Sequence, residues 1–498
     1  MTPASQQATS GAGLGHAVDA LAAWLSGTPE PGWFATLVAI LVVWIAPMLA
    51  VVFPIAALGQ IAERKIAAAI QRRHGPNSVG LDGPLRLLFR ALLFFLPRAA
   101  QDKALARFCA LPVVRPVLHM ARRLGLGQLV ADGVKMLGKE DLVPAGADGL
   151  VFRLAPYLAL IGSFLPFCVV PFSHHVVMLE TPVGALFAIA AAGITVMALK
   201  MAGWGSGNKW SLLGGMRAVA QLVSYEIPVG LAVAGVVLWC GTLDLHAIVG
   251  QQYHAGVLSL LGWNALQSPF LLLLGAILFF AGLAECQRTP FDMAEAESEL
   301  VSGFNTEYSG LRWGMFAMAE YTEMLLIGAL LATLFLGGYQ SPIGEEWIVG
   351  LPVVLETLVH GAILVLKMLA SFLFMMWIRW TLPRLRVDQV MRLCWLQLVP
   401  LCLLALFGIA LTMLASGGAL PGTPYGRLPA HLHPDLGVLG YLTAWALPLV
   451  LGLLLVRAAR SKYGQVHPAI RGLTQQPLPR PLAQQQSLPQ QKATGGTA

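Results

Sequence analysis

Charge is scarce in this sequence. Only 11% of its 498 residues are Asp, Glu, Lys or Arg, less than half of the roughly 25% carried by an ordinary soluble protein. Hydrophobic residues make up 57%. Such a chain cannot cover a folded core with a polar shell, which excludes a soluble globular protein, and the same numbers exclude disorder and collagen. Paired cysteines are missing as well. The six cysteines, at positions 109, 168, 240, 286, 394 and 402, stand singly, with no CxxC or Cys/His spacing. That argues against a zinc site, an iron–sulfur site or a disulfide framework, so no metal is expected. No glycine-rich phosphate loop opens a helix after a strand, so neither a nucleotide site nor a nucleic-acid partner is expected. Residues 1–32 hold no Lys or Arg and so lack the basic start of a signal peptide. What remains is an all-α, polytopic transmembrane protein.

Apolar runs predict nine spans, at about 33–57, 151–172, 182–201, 218–240, 267–286, 312–337, 352–378, 394–414 and 437–457, each long enough for the roughly 30 Å of hydrocarbon. The basic residues then predict orientation. Of 32 Lys and Arg, all but Lys367 and Arg427 fall on one side or at its border, whereas the loops 173–181, 241–266 and 338–351 contain none. By the positive-inside rule the N-terminus is periplasmic and the C-terminus cytoplasmic, in a bacterial inner membrane. The expected organisation is a periplasmic segment 1–32 and a membrane core 33–414, then an extra loop and span over 415–462. A Gln- and Pro-rich tail, 463–498, reads as disordered.

The acids point to function. Glu285, Asp292, Glu295, Glu297, Glu299 and Glu307 crowd the segment 285–312, with Arg288 and Arg312 among them. Glu226, Glu320 and Glu323 stand inside predicted spans, where ionisable residues are functional by default. Neighbouring carboxylates in low dielectric cannot all ionise. At ~6 Å and an effective dielectric of ~20, one unit charge acts on the next by roughly 3 kcal/mol. A charge gained or lost nearby would change the protonation of the row, which describes a proton relay with an electrostatic trigger. Lys367, near the middle of the seventh span, is expected to face a carboxylate or a water-filled cavity.

Several stretches carry a resemblance. They are Glu63-Arg64-Lys65 with Gln71-Arg72-Arg73-His74-Gly75-Pro76-Asn77; Ala131-Asp132-Gly133-Val134-Lys135 with Lys139-Glu140-Asp141; Ser224-Tyr225-Glu226; Ala284-Glu285 through Arg288-Thr289-Pro290-Phe291-Asp292 to Glu299-Leu300; Thr306-Glu307-Tyr308-Ser309-Gly310; Ala319-Glu320-Tyr321; and Arg379-Trp380-Thr381-Leu382-Pro383-Arg384 with Asp388-Gln389. In this order the sequence resembles the H subunit of respiratory NADH–quinone oxidoreductase (complex I), the family of mitochondrial NADH dehydrogenase subunit 1. The resemblance implies a translocase subunit that forms the membrane side of a quinone chamber. Quinone would be the substrate, and iron–sulfur clusters would sit in partner subunits, with no cofactor bound by this chain. Its partners would be the peripheral-arm quinone-site subunits, small membrane-arm subunits and lipids. Glu63, Arg64, Lys65, Arg72 and Arg73 would then meet quinone. Asp132, Lys135, Lys139, Glu140, Arg288 and Arg312 would dock the peripheral arm. Glu226, Glu285, Asp292, Glu295, Glu297, Glu299, Glu307, Glu320 and Lys367 would carry the relay.

The sequence departs from that family in two places. Val79-Gly80 is separated from Ala131-Asp132-Gly133 by 50 residues, which places a cytoplasmic insertion at about 82–125. Its apolar run around Arg86 and Arg90 is too short to span and is expected to lie at the interface. The ninth span and tail are the other addition. A related membrane anchor, of an energy-converting hydrogenase or formate-hydrogen lyase, is the alternative reading. A stand-alone transporter is disfavoured, because no internal repeat is evident.

Overall fold

The structure is a computed structural model that describes residues 46–415, apart from 78–79, 81–97, 99–107, 110–113, 254–258, 295–296, 346 and 349. The expected N-terminal segment, ninth span, C-terminal tail and Glu295 lie outside the described residues. So does the apolar run around Arg86 and Arg90. Among the described residues every regular element is helical. We number the longer ones α1 (Ala46–Ile70), α2 (Val114–Leu124), α3 (Gly127–Leu137), α4 (Gly149–Phe164, continued by a 3-10 turn to Val169), α5 (Gly184–Gly205) and α6 (Lys209–Cys240). There follow α7 (Pro269–Glu285), α8 (Gly310–Phe335), α9 (Val353–Thr381), α10 (Val387–Leu393) and α11 (Val399–Ala415), the last two joined by a π turn over Cys394–Leu398. Among the described residues six stretches are long and apolar enough to cross a membrane: Gly149–Val169, α5, α6, α8, α9 and Val387–Met413. The apolar α7 is shorter, at 17 residues.

Local chemistry sets the helix ends. Asp148 begins α4 by accepting from the amides of Leu150 and Val151, and Asn208 begins α6 by accepting from Trp210 N at 3.0 Å. Gly241, at φ 71°, ends α6 with its N–H on Val237 O, a left-handed conformation that glycine takes without a Cβ penalty. Small residues then let the helices close up. A Cβ on Gly203 would lie 2.9 Å from Gly215 Cα, so α5 and α6 touch through their backbones.

Helix α8 sits at the centre, packed against α1, α3, α4, α7 and α9, while α6 packs against α5, α7 and α11. Two boundaries differ from expectation. Helix α1 continues to Ile70, so Glu63-Arg64-Lys65 lie within it rather than on a stretch leaving it. Helix α6 begins at Lys209, nine residues before the predicted span, so Glu226 lies along its length rather than at its start. Within the insertion, α2 is a helix that hydropathy alone does not reveal, because its pattern is amphipathic and basic rather than apolar.

Candidate functional site

The ends of α1, α8 and α9, with the turn after α7, meet around a cavity of about 580 Å³. Its wall includes Gln60, Glu63, Arg64, Arg73, His74, Arg288, Glu320, Tyr321, Arg379 and Trp380. Glu63, Arg288, Glu320 and Arg379 form an ionic group in which Glu63 and Arg288 are buried and Glu320 and Arg379 half-buried. Arg288 Nη2 lies 2.9 Å from Glu320 Oε2, and Arg288 Nη1 lies 3.8 Å from Glu63 Oε2. Arg379 pairs with the other oxygen of Glu63, and Tyr321 donates to Glu63 Oε2 at 2.6 Å. The Arg288 guanidinium also lies over the Tyr321 ring, 4.7 Å from its centroid. Glu63 is 6% exposed and Arg288 5%. Charges so withdrawn from water persist only because each faces an opposite charge and directed hydrogen bonds.

One helical turn away a different arrangement is found. Glu226, Glu285 and Glu323 line a second cavity of about 50 Å³, together with Thr195, Cys286 and aliphatic side chains of α5, α6 and α8. No Lys or Arg is among its lining residues. The two cavities share a wall. Glu320 and Glu323 stand three residues apart on α8, on neighbouring positions of one face, yet Glu320 lines the large cavity and Glu323 the small one. Glu285 and Arg288 divide in the same way. Gln287, at φ 52°, turns the chain between them, and Gln221 fixes that turn by donating to the carbonyls of Ala284 and Phe291, both at 2.7 Å.

The remaining acids of the 285–312 segment do not form one continuous row. Asp292 pairs with Arg384 at 2.6 Å, and Glu299 pairs with Arg217 at 2.6 Å near the surface. Glu307 accepts from Asn208 Nδ2 at 2.6 Å. Glu297 opens a short helix to Leu300, and its side chain lies outside the described residues. Each of these three acids has a local partner because the segment folds back over the start of α6 and against residues 384–385, which hydropathy cannot reveal.

Lys367 differs from its expectation. Its direct partners are three carbonyl oxygens, of Leu336 (2.7 Å), Gly338 (2.8 Å) and Gln340 (2.8 Å), and its ammonium lies 4.3 Å from the Trp263 ring centroid. It therefore satisfies the carbonyl of Leu336, which caps the C-terminal end of α8, and two carbonyls of the turn that follows.

Of the residues expected to meet quinone, Glu63, Arg64 and Arg73 line the large cavity. Lys65 instead donates to Arg123 O at 2.7 Å, and Arg72 is exposed at a left-handed turn, φ 54°. Of the residues expected to dock a partner, Asp132, Lys135 and Lys139 line a neighbouring surface cavity of about 420 Å³, and Asp132 pairs with Arg64 at 2.8 Å. Glu140 is exposed, and its carbonyl accepts from Ser309. Arg312 pairs with Asp141 at 3.0 Å. Arg288, also expected to dock a partner, lies in the ionic group, 5% exposed on the wall of the large cavity. Tyr308, on the rim of the surface cavity, stacks on Phe152 at 4.1 Å and donates to Phe152 O at 3.1 Å. Burial holds its phenol above the usual range, so it acts as a donor. The sequence marks Glu323 as functional by its place in a span without giving it a specific role, and gives none to Tyr321, Arg379 or Trp380. The signal is nonetheless present, since Glu323 stands in a span and Tyr321, Arg379 and Trp380 stand in the matched stretches.

Comparison with known proteins decides the family. The NADH dehydrogenase family profile matches residues 104–410, more than half of the chain. The chain belongs to that family, which includes the H subunit of NADH-quinone oxidoreductase. It is 43% identical over 294 residues to the NADH-quinone oxidoreductase H subunit of Dehalococcoides mccartyi (strain CBDB1), covering 58% of this chain and 75% of the relative. With the Chlorobaculum tepidum counterpart it shares 36% over 375 residues, 75% of this chain and 92% of the relative. With the Geobacillus kaustophilus counterpart it shares 37% over 380 residues, 76% and 95%.

Proposed function

We propose that this chain forms the membrane side of the quinone chamber in an NADH-quinone oxidoreductase and passes the charge change of quinone reduction to a carboxylate site inside the bilayer. The observation that carries the reading is the shared wall. The large cavity has both apolar and charged lining, Ala67, Ala68, Met136 and Trp313 beside Glu63, Arg73 and His74, which suits a prenylated ligand with a polar head. A charge change there acts first on Arg288 and Glu320. Glu285 and Glu323 follow one turn away. At ~8 Å and an effective dielectric of ~20, a unit charge acts by about 2 kcal/mol, enough to move protons among Glu226, Glu285 and Glu323. Asp292, Glu295, Glu297, Glu299 and Glu307 border that path, and Lys367 lies farther along it.

The same reading gives the chain nine spans in a bacterial inner membrane, N-terminus outside, with the carboxylate end facing the cytoplasm. Exposed Trp204, Trp210, Trp377, Trp380 and Trp395 at that end support an interface there. The surface of Asp132, Lys135, Lys139, Glu140 and Arg312 takes the peripheral arm, whose subunits carry the iron–sulfur clusters. The purified complex, assayed with NADH and a short-chain quinone and then for pumping in proteoliposomes, tests the proposal. Glu226→Gln lowers quinone reduction and pumping together with assembly intact, and Glu320→Gln lowers both per assembled complex. Normal pumping in both variants would remove the carboxylates from the path. No NADH-dependent quinone reduction by the parent complex would remove the chamber.

A further inference from the structure

Far from the carboxylates, the connecting segments 173–181, 241–266 and 338–351 hold no Lys or Arg, but the first two hold histidines. His360 precedes Arg379 by 19 residues on the same helix α9, about 28 Å along its axis, so this is the opposite end of the bundle. His174 stacks on His246 (centroids 5.5 Å apart), and His246 lies over Tyr339 (6.2 Å). Tyr339 meets His360 (5.1 Å), while His175 stands edge-on to His174 (5.1 Å). The histidines run inward in order of burial: His174 is exposed, His246 half-buried and His360 3% exposed.

At the inner end, His360 Nε2 lies 3.0 Å from Glu345 Oε2, and Glu345 Oε1 accepts from the Ser341 amide at 2.6 Å. An ionised carboxylate only accepts, so Nε2 must carry the hydrogen. A neutral His360 then directs the lone pair of Nδ1 into the interior, where that atom has no partner among the described residues. His246 Nδ1 is buried and unpartnered in the same way. Unpartnered buried nitrogen is costly, and one added proton on His360 turns its pair with Glu345 into an ion pair. The other ionisable groups around it are Tyr339 on the same segment as Glu345, Asp244 at the cap of the His246 helix, His175 and its partner Glu356 (3.6 Å), and Lys367 two turns along α9. The stacked rings are not arranged as ligands to one point, and no group of three or more His, Cys, Asp or Glu among the described residues could hold a metal ion.

We propose that His360 and Glu345 form a proton-binding site, reached from the surface past the His174–His246–Tyr339 stack, whose occupancy fastens the segment 336–352 to the end of the bundle. Partial desolvation of its ring, with the neighbouring imidazoles of His246 and His175, holds His174 below the usual imidazole range. The site is independent of the carboxylate cavities and of the quinone reading.

Hydrogen–deuterium exchange on the whole detergent-solubilised complex tests it, from pH 8 to 5.5, corrected for the intrinsic pH dependence of amide exchange. Peptides covering 336–352 gain severalfold protection on acidification, because the added proton turns the His360–Glu345 hydrogen bond into an ion pair that only the fastened segment makes. The gain persists in the presence of a chelator. Glu345→Gln, which keeps a hydrogen bond but not the charge, abolishes it, as does His360→Gln. His174→Gln leaves the gain in place and alters only residues 170–183. A flat profile in the parent complex would overturn the proposal, even if neither buried variant assembled. So would a gain that survives in Glu345→Gln, or one lost to the chelator.

Discussion

The two cavities on either side of α8 hold the same kind of side chain and treat it differently. In the large one, Glu63 and Glu320 face Arg288 and Arg379, and Tyr321 adds a hydrogen bond. In the small one, Glu226, Glu285 and Glu323 share about 50 Å³ with no cation in the lining. Each paired carboxylate faces a guanidinium that would be stranded without it. Unpaired ones in a confined space respond to any field that favours one protonation pattern over another. The difference teaches that one cavity pairs its acids with cations while the other, a turn deeper, groups them without any; under the function proposed above, the first would hold fixed charge beside the ligand and the second movable charge.

The sharpest way to break that contrast is to strand a charge. Arg288→Met leaves Glu63 with one cation and removes the guanidinium beside Glu320, a loss of roughly 3–5 kcal/mol for a broken buried pair. The yield of assembled complex on a native gel falls strongly, and normal assembly with unchanged quinone kinetics would show that the pairing is dispensable. Next in size is Glu285→Gln, which removes a movable charge without stranding another. Assembly is retained, while quinone reduction falls by up to about thirtyfold, the rate equivalent of about 2 kcal/mol of lost coupling. An equal loss of assembly would make the two cavities alike. Lys367→Met leaves three carbonyls without their charged donor, at about 1.5–3 kcal/mol for such a hydrogen bond. It lowers the thermal midpoint of the complex, with turnover per assembled complex held. Unchanged stability with lost pumping would instead assign Lys367 to the relay. The smallest effect belongs to Glu299→Ala. Its pair with Arg217 is 52% exposed on the carboxylate side and contributes at most about 1 kcal/mol, so pumping rates stay at the parent value. A large loss would return Glu299 to the movable group.

Much of this architecture is legible in the linear chain. Span-length apolar runs are visible because a bilayer demands them, and α4, α5 and α7 to α9 lie close to where the runs predict, whereas α6 starts nine residues early. Glu226, Glu320 and Glu323 announce themselves as charges in apolar context. Glu63 does not reveal its burial, since Glu63-Arg64-Lys65 reads as the polar end of a span until α1 is seen to continue past it. The partners of Asp292, Glu299 and Glu307 come from residues 92, 82 and 99 positions away, a separation at which local pattern carries no information.

The sequence by itself determined that the chain is helical and membrane-embedded, and which family it belongs to. Hydrophobic length and the order of motifs are properties of the linear chain. Tertiary structure alone decided which acids are paired and which are grouped, that Arg288 is interior, and that Lys367 caps a neighbouring helix. Whether a charge is fixed or movable depends on which distant side chains folding brings within a few ångströms.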